Sequence, residues 1–229
     1  MSPQALCASV IVRSYNESKF IGKVLNQIRN QSNIEVEIIL VDNNSKDETV
    51  NIAKPLVDKI LTIDKFRPGT AINLGIRSSK YDKIAIISGH CVPVGREWLS
   101  KLLSPLVNDT EIAGVYGRQI PTSVSSPNDK RDLWTTFGVE NKLQTSDPFF
   151  HNANSALTRA IWEKNPFSEI ATNVEDRIWA KQILQSGLKI KYQADAIVDH
   201  WHGINHGGDK VRAQNVVRVL EEYGVYVEN

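Results

Sequence analysis

Cysteine is scarce in this 229-residue chain, which has only Cys7 and Cys91, far apart in the sequence. The two form neither a disulfide framework nor a zinc-knuckle spacing, which favours a reducing compartment. Runs of the roughly 20 apolar residues needed to cross a bilayer are missing, and Met1–Gln4 lacks the basic start and apolar run of a signal peptide. We expect a cytoplasmic protein without a transmembrane segment. Peripheral association with the inner face of a membrane is still compatible with the sequence, which does not indicate an oligomeric state.

An excess of charge of one sign is also lacking, since 27 Lys and Arg residues are matched by 26 Asp and Glu, a net charge of +1. No broad basic field is expected, which disfavours nucleic acid as a partner. After the first apolar run there is neither a G-x-G-x-x-G nor a glycine-rich phosphate loop carrying Lys or Arg. These absences argue against hydride transfer and against a nucleotidyltransferase.

The sequence does have apolar runs that alternate regularly with amphipathic segments. The runs predict strands and the spacings of three and four predict helices, with strands at 8–13, 36–41, 60–63 and 84–87 and helices at 20–28, 47–53 and 70–79. Near-continuous apolar strands alternating with helices are typical of a mostly parallel sheet covered on both faces. The predicted fold class is therefore α/β.

The second half is less regular. Strands are predicted at 112–116 and 188–192, helices at 173–186 and 211–220, and a polar loop over 121–132.

Polar side chains follow three of the predicted strands. The loops after residues 13, 41 and 87 carry Tyr15, Asn16, Glu17, Asp42, Asn43 and His90. Because ligands collect beyond the carboxyl ends of parallel strands, these loops are expected to share one rim. Each residue taken singly could equally be an ordinary cap or turn residue.

Several motifs lie within residues 7–206, namely 9–17 (SVIVRSYNE), 38–49 (IILVDNNSKDET), 69–76 (GTAINLGI), 115–121 (VYGRQIP), 150–156, 175–176 and 196–200. Together they resemble the motifs of the inverting family 2 glycosyltransferases, and of their rhamnosyltransferase-like branch in particular. The resemblance implies a GT-A fold, with a Rossmann-like, mostly parallel sheet flanked by helices and a small mixed acceptor-side part. It implies a single domain over 1–229, with a nucleotide-binding half (1–120), an acceptor and catalytic half (121–206) and a C-terminal helix (207–229).

The resemblance also implies roles on the donor side. Tyr15 would stack on the nucleotide base, Asp42 would accept hydrogen bonds from the base or ribose, and Glu17 would fix that pocket. Arg67 and Asn73 would line the nucleotide or diphosphate site. The alternative for Tyr15 is an aromatic lid on the core. Arg118 would either contact the donor or brace the sheet.

On the acceptor side, the resemblance makes Asp176 the catalytic base, with Glu175 as its partner. Two acids in a first helical turn would otherwise simply complement the helix dipole. Asn152 and Asn154 would contact sugar hydroxyls. Trp201 would stack on a sugar face or belong to the core.

One departure from the family pattern concerns the metal. The segment Ser88-Gly89-His90-Cys91 places His90 where the family carries the Asp of its DxD motif. Two outcomes follow. Either His90 holds a divalent ion, Mn²⁺ or Mg²⁺ in the family, together with His200 or His202, or no metal is used. The leaving phosphate would then be stabilised by a cationic side chain: His90, Arg67, Arg118 or Lys210.

The predicted function is inverting transfer of a hexosyl or deoxyhexosyl group from a nucleotide-sugar to a hydroxyl of a glycan or lipid-linked glycan, in surface polysaccharide synthesis. All five histidines (90, 151, 200, 202 and 206) fall in segments expected near the rim. A catalytically silent nucleotide- or sugar-binding module is the alternative, against which the retained Glu175-Asp176 pair speaks.

Overall fold

The structure, a computed structural model, describes residues 6–204 and 209–225. The strands are β1 (Leu6–Ser14), β2 (Ile34–Asp42), β3 (Lys59–Thr62), β4 (Lys83–Ser88), β5 (Cys91–Pro93), β6 (Ile112–Pro121), β7 (Lys142–Gln144), β8 (Asn154–Thr158) and β9 (Lys189–His200). The helices are α1 (Ile21–Arg29), α2 (Thr49–Ala53), α3 (Pro68–Ser78), α4 (Trp98–Asn108), α5 (Pro127–Thr136), α6 (Arg159–Lys164), α7 (Glu175–Gln185) and α8 (Lys210–Tyr223). His206 lies outside the described residues.

One sheet organises the described chain, with strand order β3-β2-β1-β4-β8-β6-β9-β5 and β7 paired to β9. Strands β1 to β4 are parallel, β8 runs against β4 and β6, and β9 runs parallel to β6. The mostly parallel α/β sheet predicted from the sequence is therefore confirmed. The carboxyl ends of β1, β2 and β4 meet at one edge, where Ser14 pairs with Asp42 and Arg13 with Ser88.

Two apolar layers cover the two faces of this sheet. Val10 and Val12 of β1 belong to the layer that includes α1 and α4, whereas Ile11 belongs to the layer that includes α3 and α7. Alternate side chains are thus buried on opposite faces, which explains why the first strands read as continuous apolar runs.

The prediction of a polar loop over 121–132 is wrong in its second part, because α5 begins at Pro127. Ser126 caps this helix by accepting a hydrogen bond from the amide of Asp129 at 3.2 Å, and Pro127 occupies the first turn. Strand β9 is also longer than predicted, since its alternation of buried and partly exposed residues continues to His200.

Helix α8 packs on the rest of the chain through a small separate cluster. Val219 and Val225 contact the cluster that contains Ala171 and Ile178 of the α7 region. Among the described residues, none of the helices is both long and apolar enough to cross a bilayer.

Candidate active site

A cavity of about 650 Å³ opens at the edge where β1 and β4 end. Its walls come from the loops after these strands, the start of α7, the end of β9 and one face of α8. Among the lining residues are Arg13, Tyr15, Glu17, Asn43, Phe66, His90, His151, Glu175, Asp176, Arg177, His200, Trp201, His202, Lys210 and Arg212. The cavity is therefore large enough for a small ligand with several polar groups.

The loop after β1 forms one wall of the cavity. Tyr15 is 54 % exposed there, which leaves a ring face open for stacking. Two hydrogen bonds hold this loop to the segment after β2: the backbone N–H of Glu17 donates to Thr49 Oγ1 at 2.7 Å, and that of Asn16 donates to Ser45 Oγ at 2.8 Å. Tyr15 thus projects from a fixed turn and is not a lid over the core.

Asp42 lies beneath the rim and is not in the cavity lining. It is 1 % exposed, and its carboxylate accepts hydrogen bonds from Ser14 Oγ (2.8 Å), Ser45 Oγ (2.6 Å) and the Ser45 amide (2.7 Å). These bonds join the loops after β1 and β2. In this structure Asp42 shapes the pocket, and three of the roughly four hydrogen bonds that its carboxylate can accept are made within the protein.

The acidic pair lies on the opposite wall, at the first turn of α7. Val174, just before the helix, has φ 51°, a left-handed conformation that is strained for a β-branched residue. Arg13 Nη1 lies 3.3 Å from Glu175 Oε1, and Asn152 Nδ2 donates to the same oxygen at 3.2 Å. The backbone N–H of Asn152 donates to Asp176 Oδ2, also at 3.2 Å. Both carboxylates are therefore fixed by residues distant in sequence.

Burial raises the pKa of both acids. For Glu175 the neighbouring Asp176 charge adds to this effect, and the Arg13 guanidinium opposes it. For Asp176, the Arg177 charge and the bond from the Asn152 amide oppose the effect of burial. Raised values make these carboxylates stronger bases than exposed ones, which suits proton transfer at near-neutral pH.

Three histidines meet on a third side of the cavity. The ring centroids of His90 and His200 are 5.1 Å apart, those of His90 and His202 are 4.6 Å apart, and those of His200 and His202 are 4.4 Å apart. Pairing of β5 with β9 sets Cys91 opposite His200, and so brings His90 beside it. Burial and the nearby His90 lower the pKa of His202 to about 4.

The donor set only partly fits the metal that the family pattern implies. Ligand atoms of His90, Cys91 and His200 lie within 4.8 Å of one another in the described part of the chain. Mg²⁺ and Mn²⁺ favour carboxylate and water oxygens, whereas imidazole suits Zn²⁺, Ni²⁺ and related ions. The nearby carboxylate of Glu17 is hydrogen-bonded to His90, with 2.5 Å between Oε1 and Nδ1, so it is engaged with the histidine. The site therefore does not fit a carboxylate-held Mg²⁺ or Mn²⁺.

Not every residue predicted for the site lines the cavity. The side-chain amide of Asn73 is buried and bonded within the protein. Its Nδ2 donates to the Phe167 carbonyl (2.8 Å) and Glu169 Oε1 (2.9 Å), and its Oδ1 accepts from Trp162 Nε1 (2.8 Å). Asn73 thus joins α3 to the segment between α6 and α7. Both polar atoms of its side-chain amide are engaged within the protein and Asn73 is not among the lining residues, so its place at the diphosphate stays a prediction without support from this geometry.

Asn154 and Asn152 are also engaged within the protein, and their predicted contact with sugar hydroxyls stays a prediction. The side chain of Asn154 accepts from Trp98 Nε1 at 3.0 Å and donates to the Ala196 carbonyl at 2.9 Å, so it braces the sheet. Asn152 positions the acids, as described above. Arg67 and Arg118 also lie outside the lining, and the Arg118 carbonyl accepts from Asn154 at 3.3 Å.

Trp201 lies in the cavity wall and is not part of the apolar core. It is 40 % exposed and stacks on Phe20 with ring centroids 5.9 Å apart. The His202 ring also meets Trp201 edge-on, with centroids 4.9 Å apart, so a sugar could contact only the part of the indole that is exposed in the cavity.

Two lining residues that hold the acids in place or carry charge, Arg13 and Arg177, are not among the predicted site residues. Arg13 closes the first predicted strand, and a basic residue at the end of an apolar run is a signal for a charged strand end. Arg177 lies directly after the acidic pair, lines the cavity, and stacks over the Phe149 ring at 4.9 Å.

Solved structures of glycosyltransferases share this fold. A mannosyltransferase from Pyrobaculum calidifontis, PcManGT, in complex with GDP-Man and Mn²⁺, has a TM-score of 0.72 and 19 % identity, over 96 % of this chain and 65 % of its own. GalNAc-T7 with UDP, GalNAc and Mn²⁺ has a TM-score of 0.69 and 18 % identity, over 97 % and 50 %. The fold is thus the GT-A glycosyltransferase fold.

Residues 9–165 match the family described as "Glycosyl transferase family 2", so the chain belongs to this family. Among its relatives are the O-antigen chain rhamnosyltransferases RfbN of Salmonella typhimurium, 28 % identical over 209 residues, and WbaN of Salmonella anatum, 27 % identical over 208 residues. Each alignment covers 85 % of this chain. The chain spans 66 % of the length of these relatives.

Proposed function

We propose that this glycosyltransferase inverts the anomeric centre and moves a hexosyl or deoxyhexosyl group from a nucleotide-sugar to a hydroxyl of a glycan or lipid-linked glycan. The rhamnosyltransferase names of two relatives favour a deoxyhexose and a role in surface polysaccharide synthesis. The observation that carries the proposal is that Asp176, half-buried and raised in pKa, shares one cavity with the exposed ring of Tyr15.

The donor would bind along the wall formed by the loop after β1. Stacking of Tyr15 on the base uses the open ring face, and the hydrogen bonds of Asp42 keep the loops on either side of it in register. Basic residues line the same cavity and can bind the phosphates through charge-assisted hydrogen bonds, namely Lys210, Arg212 and Arg177.

The chemistry follows from placing an acceptor hydroxyl at Asp176. The carboxylate takes the hydroxyl proton while the oxygen attacks the anomeric carbon from the face opposite the nucleotide. The new glycosidic bond forms as the bond to the phosphate oxygen breaks, and the nucleotide leaves with that electron pair. The backbone amide of Asn152 holds Asp176 in position and its side chain holds Glu175, while Trp201 offers a ring face to one of the sugars.

A thermal-shift panel of UDP-, TDP-, GDP- and CMP-sugars followed by turnover tests this proposal. A donor at 100 times its dissociation constant should stabilise the fold by roughly 2.7 kcal/mol. The anomeric configuration of the product, read by NMR, tests inversion. A retained configuration would refute the assigned mechanism.

Binding of a donor without hydrolysis or transfer, with a range of acceptors offered, would favour the silent binding module. No stabilisation by any nucleotide-sugar would refute the proposal as a whole.

A further inference from the structure

His151 lines the cavity but has no part in the proposed reaction. It immediately precedes Asn152, whose backbone N–H donates to Asp176 Oδ2 at 3.2 Å. The guanidinium groups of Arg13 and Arg177 influence the pKa of His151 as well as the pKa of Asp176. The imidazole ring therefore shares its surroundings with the proposed base.

One buried amide determines which nitrogen of the His151 ring carries the proton. Gln119 is 1 % exposed, and its Oε1 lies 2.7 Å from His200 Nδ1 while its Nε2 lies 2.9 Å from His151 Nδ1. Because the NH₂ group of an amide can only donate, His151 Nδ1 is the acceptor of this bond. In the neutral ring the proton is then on Nε2.

The Nε2–H group of His151 is open to a ligand. Within the part of the chain that the structure describes, Nε2 has no hydrogen-bond partner, and it is not one of the buried polar atoms that lack one. The ring lies between Phe149 and Phe137, with centroids 6.4 and 6.1 Å away, and neither of these side chains offers an acceptor. A molecule in the cavity can supply the acceptor for this donor.

The charges around His151 indicate what kind of acceptor suits it. Burial and the guanidinium groups of Arg177, Arg13 and Arg212 lower the pKa of His151 to about 3, so the ring is a neutral donor near pH 7. Phosphate oxygens form stronger, charge-assisted hydrogen bonds with guanidinium groups than with a neutral N–H. The Nε2–H group is therefore matched to an uncharged oxygen, such as a sugar hydroxyl.

We infer that His151 binds the acceptor sugar by donating Nε2–H to one of its uncharged oxygens beside Asp176, and that Gln119 selects the tautomer able to do so. A hydroxyl that accepts this bond keeps its own proton free to donate elsewhere. The inference rests on the proposed function, because it takes Asp176 as the base. It gives the imidazole a contact for which the side chains of Asn152 and Asn154 are already engaged.

The tautomer is tested first, by NMR of protein with ¹⁵N-labelled histidine and no ligand. His151→Asn identifies the signals that belong to residue 151. We expect one protonated nitrogen, Nε2, and one unprotonated nitrogen, Nδ1, at neutral pH. A proton on Nδ1, or a charged ring at that pH, would overturn the inference.

Two variants then separate the roles of the two ring nitrogens. His151→Gln puts an amide N–H close to the position of Nε2–H, whereas the shorter side chain of His151→Asn reaches only as far as Nδ1. The probe is the methyl hexoside that the wild-type protein glycosylates fastest. We expect His151→Asn to raise the KM for this glycoside about 3- to 10-fold, the usual contribution of one neutral hydrogen bond, and His151→Gln to stay within about twofold of wild type.

Hydrolysis of the nucleotide-sugar distinguishes loss of this contact from general damage to the site. Water needs no hydrogen bond from His151 in order to react, so the ratio of transfer to hydrolysis should fall in His151→Asn and be retained in His151→Gln. Melting temperatures show whether each variant is folded.

A wild-type KM in His151→Asn, an equal rise in both variants, or a parallel loss of hydrolysis and transfer would each contradict a contact between Nε2–H and the acceptor. Failure of the proposed function has a different signature, because the wild-type protein would then glycosylate no hexoside while residue 151 still showed its proton on Nε2. That result would remove the acceptor role of His151 together with the proposed function.

Discussion

Asp176 is the residue whose chemical role can be tested most directly. Replacing it by Asn keeps the size of the side chain and an acceptor for the Asn152 amide, but removes the basic carboxylate. We expect Asp176→Asn to lower kcat by about 10²- to 10⁴-fold, the usual contribution of a positioned base, with donor affinity nearly unchanged. Steady-state kinetics and donor titration measure the two effects separately.

Asp195 provides the control, because it is an exposed carboxylate on β9, away from the cavity lining. Asp195→Asn should turn over like the wild type. A kcat within about threefold of wild type in Asp176→Asn would remove Asp176 from the reaction.

Glu175 affects stability in a way that depends on pH. Its pKa in the folded protein lies above the ordinary value of 4.5, so the folded state holds this proton more tightly than the unfolded state does. Wild-type stability should therefore fall as pH rises from about 4.5 through the raised value, by on the order of 1 kcal/mol for each unit of difference.

The neutral variant Glu175→Gln should show a flatter curve of unfolding free energy against pH, and be more stable than wild type at pH 8. Gln can still accept from Arg13, so the comparison isolates the buried charge. Denaturant unfolding at a series of pH values measures the free energy of unfolding. Parallel curves for the two proteins would contradict a raised pKa for Glu175.

At the scale of elements, Asn73 fastens α3 to the segment that leads into α7. Asn73→Ala would leave the indole N–H of Trp162 and the backbone groups of Phe167 buried without this partner. We expect a loss of about 2–4 kcal/mol of unfolding free energy, since each unsatisfied buried group costs about 1–3 kcal/mol.

The Michaelis constant for the donor separates this role from diphosphate binding. It should stay within about twofold of wild type in Asn73→Ala at a temperature where the variant is folded. A large rise in that constant with little loss of stability would restore Asn73 to the donor site.

The sequence predicts the strands and helices whose hydrophobic pattern lies entirely within their own residues. β1, β2 and β4 were predicted because both their faces are buried, which makes the apolar run continuous. β8 was missed because Asn154 and Ser155 are polar, and their burial depends on Trp98 and Asn152, which come from elsewhere in the chain. The N-terminal signal of α5, Ser126 followed by Pro127 and Asp129, was present in the sequence and overlooked.

The site was predicted where topology alone decides it. Parallel strand ends meet at one edge, which brought Tyr15, Glu17 and His90 together. Whether an amide faces the cavity or the protein depends on partners far along the chain, such as Phe167 for Asn73, 94 positions away. Sequence spacing carries no information about such partners.

At the scale of the whole molecule, α8 covers the cavity but takes no part in the two main apolar layers. Val219 anchors it to the cluster around Ile178. We expect Val219→Ala to speed amide exchange in 210–223 while leaving β1, β2 and β4 protected, because opening of α8 does not require the sheet to open. Hydrogen exchange read by mass spectrometry measures this.

Val217, also on α8 but 51 % exposed, serves as the comparison. Val217→Ala should leave the exchange pattern unchanged. Faster exchange throughout the sheet in Val219→Ala would mean that α8 unfolds together with the domain.

The ion pair between Arg13 and Glu175 joins residues 162 positions apart. A ribosome releases the first strand long before it makes the helix that carries the acids. Such distant contacts form late in folding. A nascent chain therefore carries the guanidinium of Arg13 without its carboxylate partner until the ribosome has passed the second half of the polypeptide, and this wall of the cavity is completed only then.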